Sequence, residues 1–411
     1  MVLPSWNRYP GRYAIVFAAV ALLLFLLEHV NGRFWLNDFR VYYDSARSLL
    51  DGQPLYGVAR GLDSGIFKYA PVLALLYVPL ALLPYAIAAS VQYLLIVAAF
   101  IGASLLADRL IRTHLLPGKP GTYAPLFLLG LVVVVHLHRE LHLGNVNVML
   151  LWLLLFALDR LLAGKPVLGG AFIGLAMLTK PHFVVLLPLL LLRKEFKATG
   201  VALTTVLVGL LLPALFLGAT GSFALHGEWL GEMAKHNASL IYTGGDNYNA
   251  VDTVYSFLHR AVLKHFVAAP SGLETAIVLG IIAAAFGALV LWNLRKGDAK
   301  SFVFEYLLLI ALVPSITLTD TEHFLLALPL VAFVLHHLLP RAEPRWLAVV
   351  AVPILFGFGG NWEDALGPAS DWMIHHGVLG MANAFLLLLC VFLFLRDRRS
   401  NFSAGPVSSR A

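Results

Sequence analysis

Asp38 stands near the head of a segment, residues 37–56, that has neither the pattern of a membrane span nor that of an ordinary loop. Phe39, Tyr42, Tyr43, Ala46, Leu49 and Leu50 recur at helical spacing, while Arg40, Asp44, Arg47 and Asp51 fall on the other face. The spacing predicts an amphipathic helix lying along a membrane surface, closed by Gly52 and stopped by Pro54. At its start Asp38 has two readings. It caps the helix by accepting a backbone N–H bond, or it holds a carboxylate at the membrane–water boundary, where it can take a proton from an acceptor hydroxyl. A base needs a free oxygen, so the two tasks compete only in part.

Four further groups of residues carry possible chemistry. His136, His138, Arg139, Glu140, His142, Gly144, Asn145 and Asn147 form the first. Its three histidines, read at i, i+2 and i+6, do not match a tight metal pair, and no metal ligand set is expected. Asn145 and Asn147 open an apolar run, where amides either satisfy helix-start donors or bind sugar hydroxyls. In Thr179-Lys180-Pro181-His182, Lys180 either snorkels to the interface or holds a lipid-linked phosphate. Asp246-Asn247-Tyr248-Asn249 is followed by Arg260, whose guanidinium suits bidentate phosphate contact or plain solvation. Last, Thr319-Asp320-Thr321-Glu322-His323 joins two apolar runs; ionisable residues at such a place are costly, and His323 either binds phosphate when protonated or relays a proton.

The elements that must position these residues are membrane helices. Of 411 residues 60% are hydrophobic and 13% charged, against roughly 25% charged in soluble domains. The apolar residues come in long blocks, and such runs read as spans. Twelve spans fit, at about 13–30, 86–107, 123–138, 146–162, 167–180, 182–193, 199–218, 274–293, 302–318, 322–339, 346–360 and 374–395. The run 69–84 is short and broken by Pro71, Pro79 and Pro84, and is expected not to cross. With both termini cytoplasmic, 19 of the 29 Lys and Arg residues then fall in inner segments, as the positive-inside rule requires. The net charge of +6 is accounted for by those loops, so no nucleic-acid partner is expected.

The outer surface then comprises two long segments, 31–68 and 219–273, and several short ones. One domain covers 1–399, with a polar, disordered cytoplasmic tail at 400–411. Arg8 and Arg12 precede the first apolar run, but no small-residue cleavage pattern follows it, so the run is expected to stay as a helix. The single cysteine, Cys390, lies in an apolar run and reads as a small buried hydrophobe.

Asn37-Asp38-Phe39, Tyr42-Tyr43, Leu50 to Tyr56, Phe67-Lys68-Tyr69-Ala70-Pro71, Leu143 to Asn147, Lys180-Pro181, Asn247-Tyr248-Asn249 and Glu322-His323 together, and in this order, resemble glycosyltransferase family 87. The resemblance implies an all-α GT-C bundle of about 12 transmembrane helices with amphipathic helices on its outer face. It implies an inverting transferase that moves one sugar, typically mannose, from a polyprenyl-phosphate donor to a lipid or glycan acceptor at the outer face of the cell membrane. It puts the catalytic aspartate at Asp38 and a second important group at His323. Arg260, Lys180, Asn145, Asn147, Asn249 and Asp44 are expected around the donor. The chain departs from the family at Gly144-Asn145-Val146-Asn147, where Gly-Gln-x-Asn is usual, and around Ser315-Ile316 and Glu322-His323. These departures bear on the sugar and acceptor more than on the reaction class. A lipid-linked donor also fits the lack of a nucleotide-binding P-loop or Gly-x-Gly-x-x-Gly element, and no cofactor is expected. A glycan ligase or polymerase, or a lipid or sugar transporter, remains an alternative; a transporter would carry its charges near mid-span.

Overall fold

A computed structural model describes residues 9–60, 65–117, 124–241, 254, 265–266, 272–294, 298–317, 320–339 and 344–403. The described chain is almost entirely helical, as apolar segments in a bilayer must be to satisfy their own backbone. The strands in the described residues are a two-residue antiparallel pair, β1 (Ala59–Arg60) and β2 (Gly65–Ile66). The helices run α1 (Tyr9–Val30), α2 (Asn37–Leu50), α3 (Pro71–Ala81), α4 (Tyr85–Leu110), α5 (Ala124–Val132), α6 (Val134–Leu143), α7 (Asn147–Leu162) and α8 (Pro166–Thr179). Then follow α9 (Leu186–Leu192), α10 (Phe196–Leu211), α11 (Ala214–Ile241), α12 (Gly272–Leu294), α13 (Ala299–Ile316), α14 (Leu328–Leu338), α15 (Arg345–Gly359), α16 (Glu363–Leu366), α17 (Pro368–His375) and α18 (Val378–Ser403). Short 3₁₀ helices at Pro181–Val185 and Thr321–Ala327 lead into α9 and α14.

Every interval expected to span contains helix, but among the described residues six helices are long and apolar enough to cross a membrane, or up to eight if each of two bent pairs counts as one span. The bends are 60° between α5 and α6 and 86° between α10 and α11. Length and composition alone do not reach the expected twelve among the described residues, because the shorter apolar helices, such as α8 and α15, fall below an upright crossing. The run 69–84 forms the 11-residue α3, too short to cross upright. Beyond the right-angle bend, helix continues through Ile241, so the first half of the expected outer segment 219–273 is a helix rather than a loop. The tail expected at 400–411 is helical to Ser403, and 404–411 lies outside the described residues.

The centre of the bundle is α13 and the helix Thr321–Leu338, whose most apolar windows are 78% and 83% buried; α1, at 11%, faces outward. α8 lies backbone-close to α10, since a Cβ on Gly170 would come 2.3 Å from the Ala198 carbonyl oxygen. Charged side chains gather at the two ends of the bundle. One end holds Arg193 with Glu305 (2.6 Å), His336 with Asp108 (2.8 Å) and His337 with Asp397 (2.9 Å). The other end holds Asp38 and its neighbours.

Candidate active site

Asp38 lies in the first turn of α2, one residue inside its start; the flanking cap position is Leu36, with no side-chain cap bond. The carboxylate is therefore not spent on capping. Leu36 is held in the left-handed region (φ 45, ψ 63), a conformation a branched side chain rarely adopts, and it is buried. Asp38 Oδ2 accepts a hydrogen bond from Asn145 Nδ2 at 2.6 Å.

Asn145 sits in the turn from α6 to α7. Gly144 closes α6 at φ 70, and the Gly144 and Asn145 N–H groups both donate to the Glu140 carbonyl. A Cβ at Gly144 would stand 2.8 Å from Phe39 Cβ and 3.0 Å from Leu36 Cβ, so the missing side chain is what lets α2 lie against this turn. Gln92 of α4 donates to the Gly144 carbonyl at 3.1 Å. The Asn145 amide is fixed one way round: its Oδ1 accepts from Val146 N–H (2.7 Å) and from Tyr42 O–H (3.3 Å), leaving Nδ2 for Asp38. Tyr42 shares a second hydroxyl contact with Tyr69 at 2.9 Å.

Two residues on, Asn147 begins α7 and links Glu140 to Lys180. Asn147 Nδ2 donates to Glu140 Oε2 (2.9 Å), and Lys180 Nζ donates to Asn147 Oδ1 (2.6 Å). Lys180 does not snorkel outward; it is 6% exposed. A third wall comes from the turn at Thr321–Ala327. Arg139 donates to Glu322 at 2.9 Å, and His136 places its ring nitrogens against the carbonyls of Thr321 (2.7 Å) and Phe358 (2.8 Å). His323 Nδ1 accepts the Asp320 N–H at 3.1 Å. That bond puts the imidazole proton on Nε2, so His323 presents an N–H donor there, which of the two sequence readings fits the relay better than the protonated phosphate ligand.

Burial, and next the charge of Asp320, push the Asp38 carboxyl up from 3.8 to about 6, while Lys180, Lys68 and Arg139 pull the other way. Burial likewise lowers Lys68 from its ordinary value, with Asp320 and Asp38 opposing the shift. The carbonyl of Lys68 accepts from Trp229 of α11 at 3.1 Å, which ties the second long segment to the first.

Asp38, Asn145, Asn147, Lys180 and His323 are thus brought to one end of the bundle around a shared set of charges. Asp44 is not brought to it: it pairs with Arg40 at 3.1 Å on the exposed side of α2, where Arg40 also lies over the Tyr85 ring. Asn249 and Arg260 lie outside the described residues. Sequence reasoning left Glu140, Arg139, Lys68 and Tyr69 out of the site. A signal existed for Glu140 and Arg139, which interrupt an apolar segment where ionisable groups are costly. It also passed over the i, i+4 pair His138 and His142, which face the two oxygens of Glu28 at 3.8 and 3.3 Å. Their rings stack side by side, 13° from parallel, an arrangement suited to two separate ion-pair contacts. No group of three or more metal-ligating side chains among the described residues is placed to hold a metal ion.

The sequence profile of glycosyltransferase family 87 matches residues 67–319, more than half of the chain. The chain belongs to glycosyltransferase family 87. The match covers Lys68, Arg139, Glu140, Asn145, Asn147 and Lys180, and Asp38 precedes it. The protein is also similar to an alpha-(1->3)-arabinofuranosyltransferase of Corynebacterium glutamicum, 27% identical over 223 residues, which cover 52% of this chain and 49% of the relative. The chain thus spans about half the length of the curated relative it matches. Family membership and the several long apolar helices agree on a multi-pass membrane protein.

Proposed function

We propose that the protein is an inverting transferase that moves one sugar from a polyprenyl-phosphate donor to a hydroxyl of a lipid or glycan acceptor at the outer face of the cell membrane. The observation that supports it is the Asp38 carboxylate, one oxygen held by Asn145, within electrostatic reach of Lys180, Lys68 and Arg139. Asp38 takes the acceptor's proton as its oxygen attacks the anomeric carbon. The new glycosidic C–O bond forms on the face opposite the breaking C–O bond to phosphate, and polyprenyl phosphate leaves. Charge grows on that phosphate in the transition state, where fixed cations and N–H donors stabilise it. Lys180 and Arg260 serve this role, with His323 donating through Nε2.

For the sugar there are two readings. The family resemblance favours mannose, and the relative's name favours arabinofuranose. Membranes containing the protein, incubated in turn with radiolabelled polyprenyl-phosphate mannose and polyprenyl-phosphate arabinofuranose, separate them. The expected result is label transferred from one donor, with inverted anomeric configuration and dependence on Asp38. Transfer from neither donor, or transfer that survives Asp38→Asn undiminished, overturns the proposal. Lys180→Ala and Arg260→Ala are each expected to raise the donor KM by about 10- to 100-fold, the loss typical of a hydrogen bond to a charged group.

A further inference from the structure

Glu140 is fully buried, and Asn147 bridges it to Lys180. Its two oxygens are both taken: Oε1 accepts from Val148 N–H at 2.8 Å and Oε2 from Asn147 Nδ2 at 2.9 Å. We propose that Glu140 is a positioning residue for the donor-phosphate site, one that fixes the orientation of the Asn147 amide and through it holds Lys180 in the pocket. The inference rests on the reading of Lys180 as a ligand of the donor phosphate.

The argument is one of donors and acceptors. A carboxylate only accepts and an ammonium only donates. Asn147 lies between the two, and its amide has one accepting and one donating end. With Glu140 on one side, the NH2 end must face Glu140 and the carbonyl end must face Lys180, as the distances of 2.9 and 2.6 Å record. Glu140 and Asn147 are both 0% exposed, so no water competes for either end. A buried lysine needs an acceptor and a countercharge to stay inward, and the Glu140–Asn147 unit supplies both. Without them the side chain's low-cost alternative is to extend toward the interface.

Glutamine at 140 reverses this relay. Val148 N–H keeps its acceptor, so the glutamine NH2 faces Asn147. The Asn147 carbonyl must then turn toward it, which presents Nδ2 to the Lys180 ammonium, donor against donor. Aspartate at 147 repairs the fault, because it accepts from the glutamine and from Lys180 at once and restores one carboxylate beside the lysine.

Sugar-free polyprenyl phosphate, the leaving group of either donor, is the probe, and its Kd for the purified full chain is the measurement. E140Q is expected to weaken binding by about 10- to 100-fold, as K180A does, and the double variant E140Q/N147D is expected to recover most of the loss. If K180A weakens binding while E140Q does not, the inference is wrong and the reading of Lys180 stands. If E140Q weakens binding and E140Q/N147D fails to recover it, Glu140 acts by another route and the orientation argument is overturned. If K180A binds normally, the phosphate role of Lys180 falls, and this inference with it. Should E140Q not accumulate as a monodisperse protein, N147A removes only the relay and is expected to weaken binding in the same range; unchanged binding there overturns the proposal.

Discussion

Asn145 donates its amide to the Asp38 carboxylate over 2.6 Å, and its own carbonyl is occupied by Val146 N–H and Tyr42 O–H. The asparagine therefore cannot turn round, and the carboxylate it holds keeps its other oxygen for chemistry. This relationship ties α2 to the turn between α6 and α7, and it sets the expected behaviour of variants.

Asp38→Asn is expected to lower kcat by about 10²- to 10⁴-fold, the usual contribution of a positioned general base. The asparagine carbonyl can still accept from Asn145, so expression and donor KM should stay near wild type. Asp44→Asn is the control. It loses an exposed partner of Arg40, worth at most about 1 kcal/mol, and turnover should be unchanged. Normal turnover in Asp38→Asn with loss in Asp44→Asn would reverse the assignment.

The pH profile follows from burial of the same group. A base must be ionised, and Asp38 ionises at about 6 rather than 3.8. Activity is therefore expected to fall as pH drops through about 6 and to be level above it. Asp320 is the largest charge raising that value, so Asp320→Asn should move the acidic limb of kcat/KM to lower pH. A limb that stays in place, or moves upward, contradicts the electrostatic account.

Gly144→Ala tests the fit of α2 against the turn. The new methyl would lie 2.8 Å from Phe39 Cβ, and the left-handed backbone adds about 1–2 kcal/mol of strain. Both lower thermal stability, but the clash alone also displaces α2 and Asp38, so kcat should fall as well. Gly52→Ala shares the strain at φ 65 with nothing within 4 Å. It is expected to lose stability without losing kcat, and equal kcat losses in the two variants would argue against the packing role.

Topology is open to direct labelling. Cys390 is buried, so single cysteines placed at exposed positions stand out against a quiet background. A cysteine at Asp51 is expected to react with an impermeant thiol reagent on intact cells, and one at Lys194 only after permeabilisation. Reaction at 194 from outside would invert the proposed orientation.

The helical character and the helix α2 were legible in the sequence, because apolar run length and helical period are local properties; that Asp38, Asn145, Asn147 and Lys180 belong together came from the order of the family's motifs, not from any local pattern. Partner identity was not, since it joins distant parts of the chain: nothing local pairs Asn145 with Asp38 or Arg139 with Glu322. Asp44 was separable from Asp38 by pitch alone. Six residues on an α-helix turn the side chain by about 240°, onto another face. The bends were hidden for a different reason. Apolar composition records that a segment avoids water, and it says little about whether the segment runs straight, as the 86° turn before α11 illustrates.

The sequence distance across these contacts has a bearing on biogenesis. Asp38 meets Asn145 across 107 positions, and Arg139 meets Glu322 across 183. Membrane insertion proceeds from the N-terminus, so Asp38 and Asn145 are in place long before the wall that carries Asp320, Glu322 and His323 has been synthesised. A chain released after α9 would be membrane-embedded and would contain Asp38, Glu140 and Lys180, yet Arg139 would lack its carboxylate and Asp38 its neighbour Asp320. On the proposed function, a chain cut short before Asp320 is therefore expected to be inactive even when it is fully inserted.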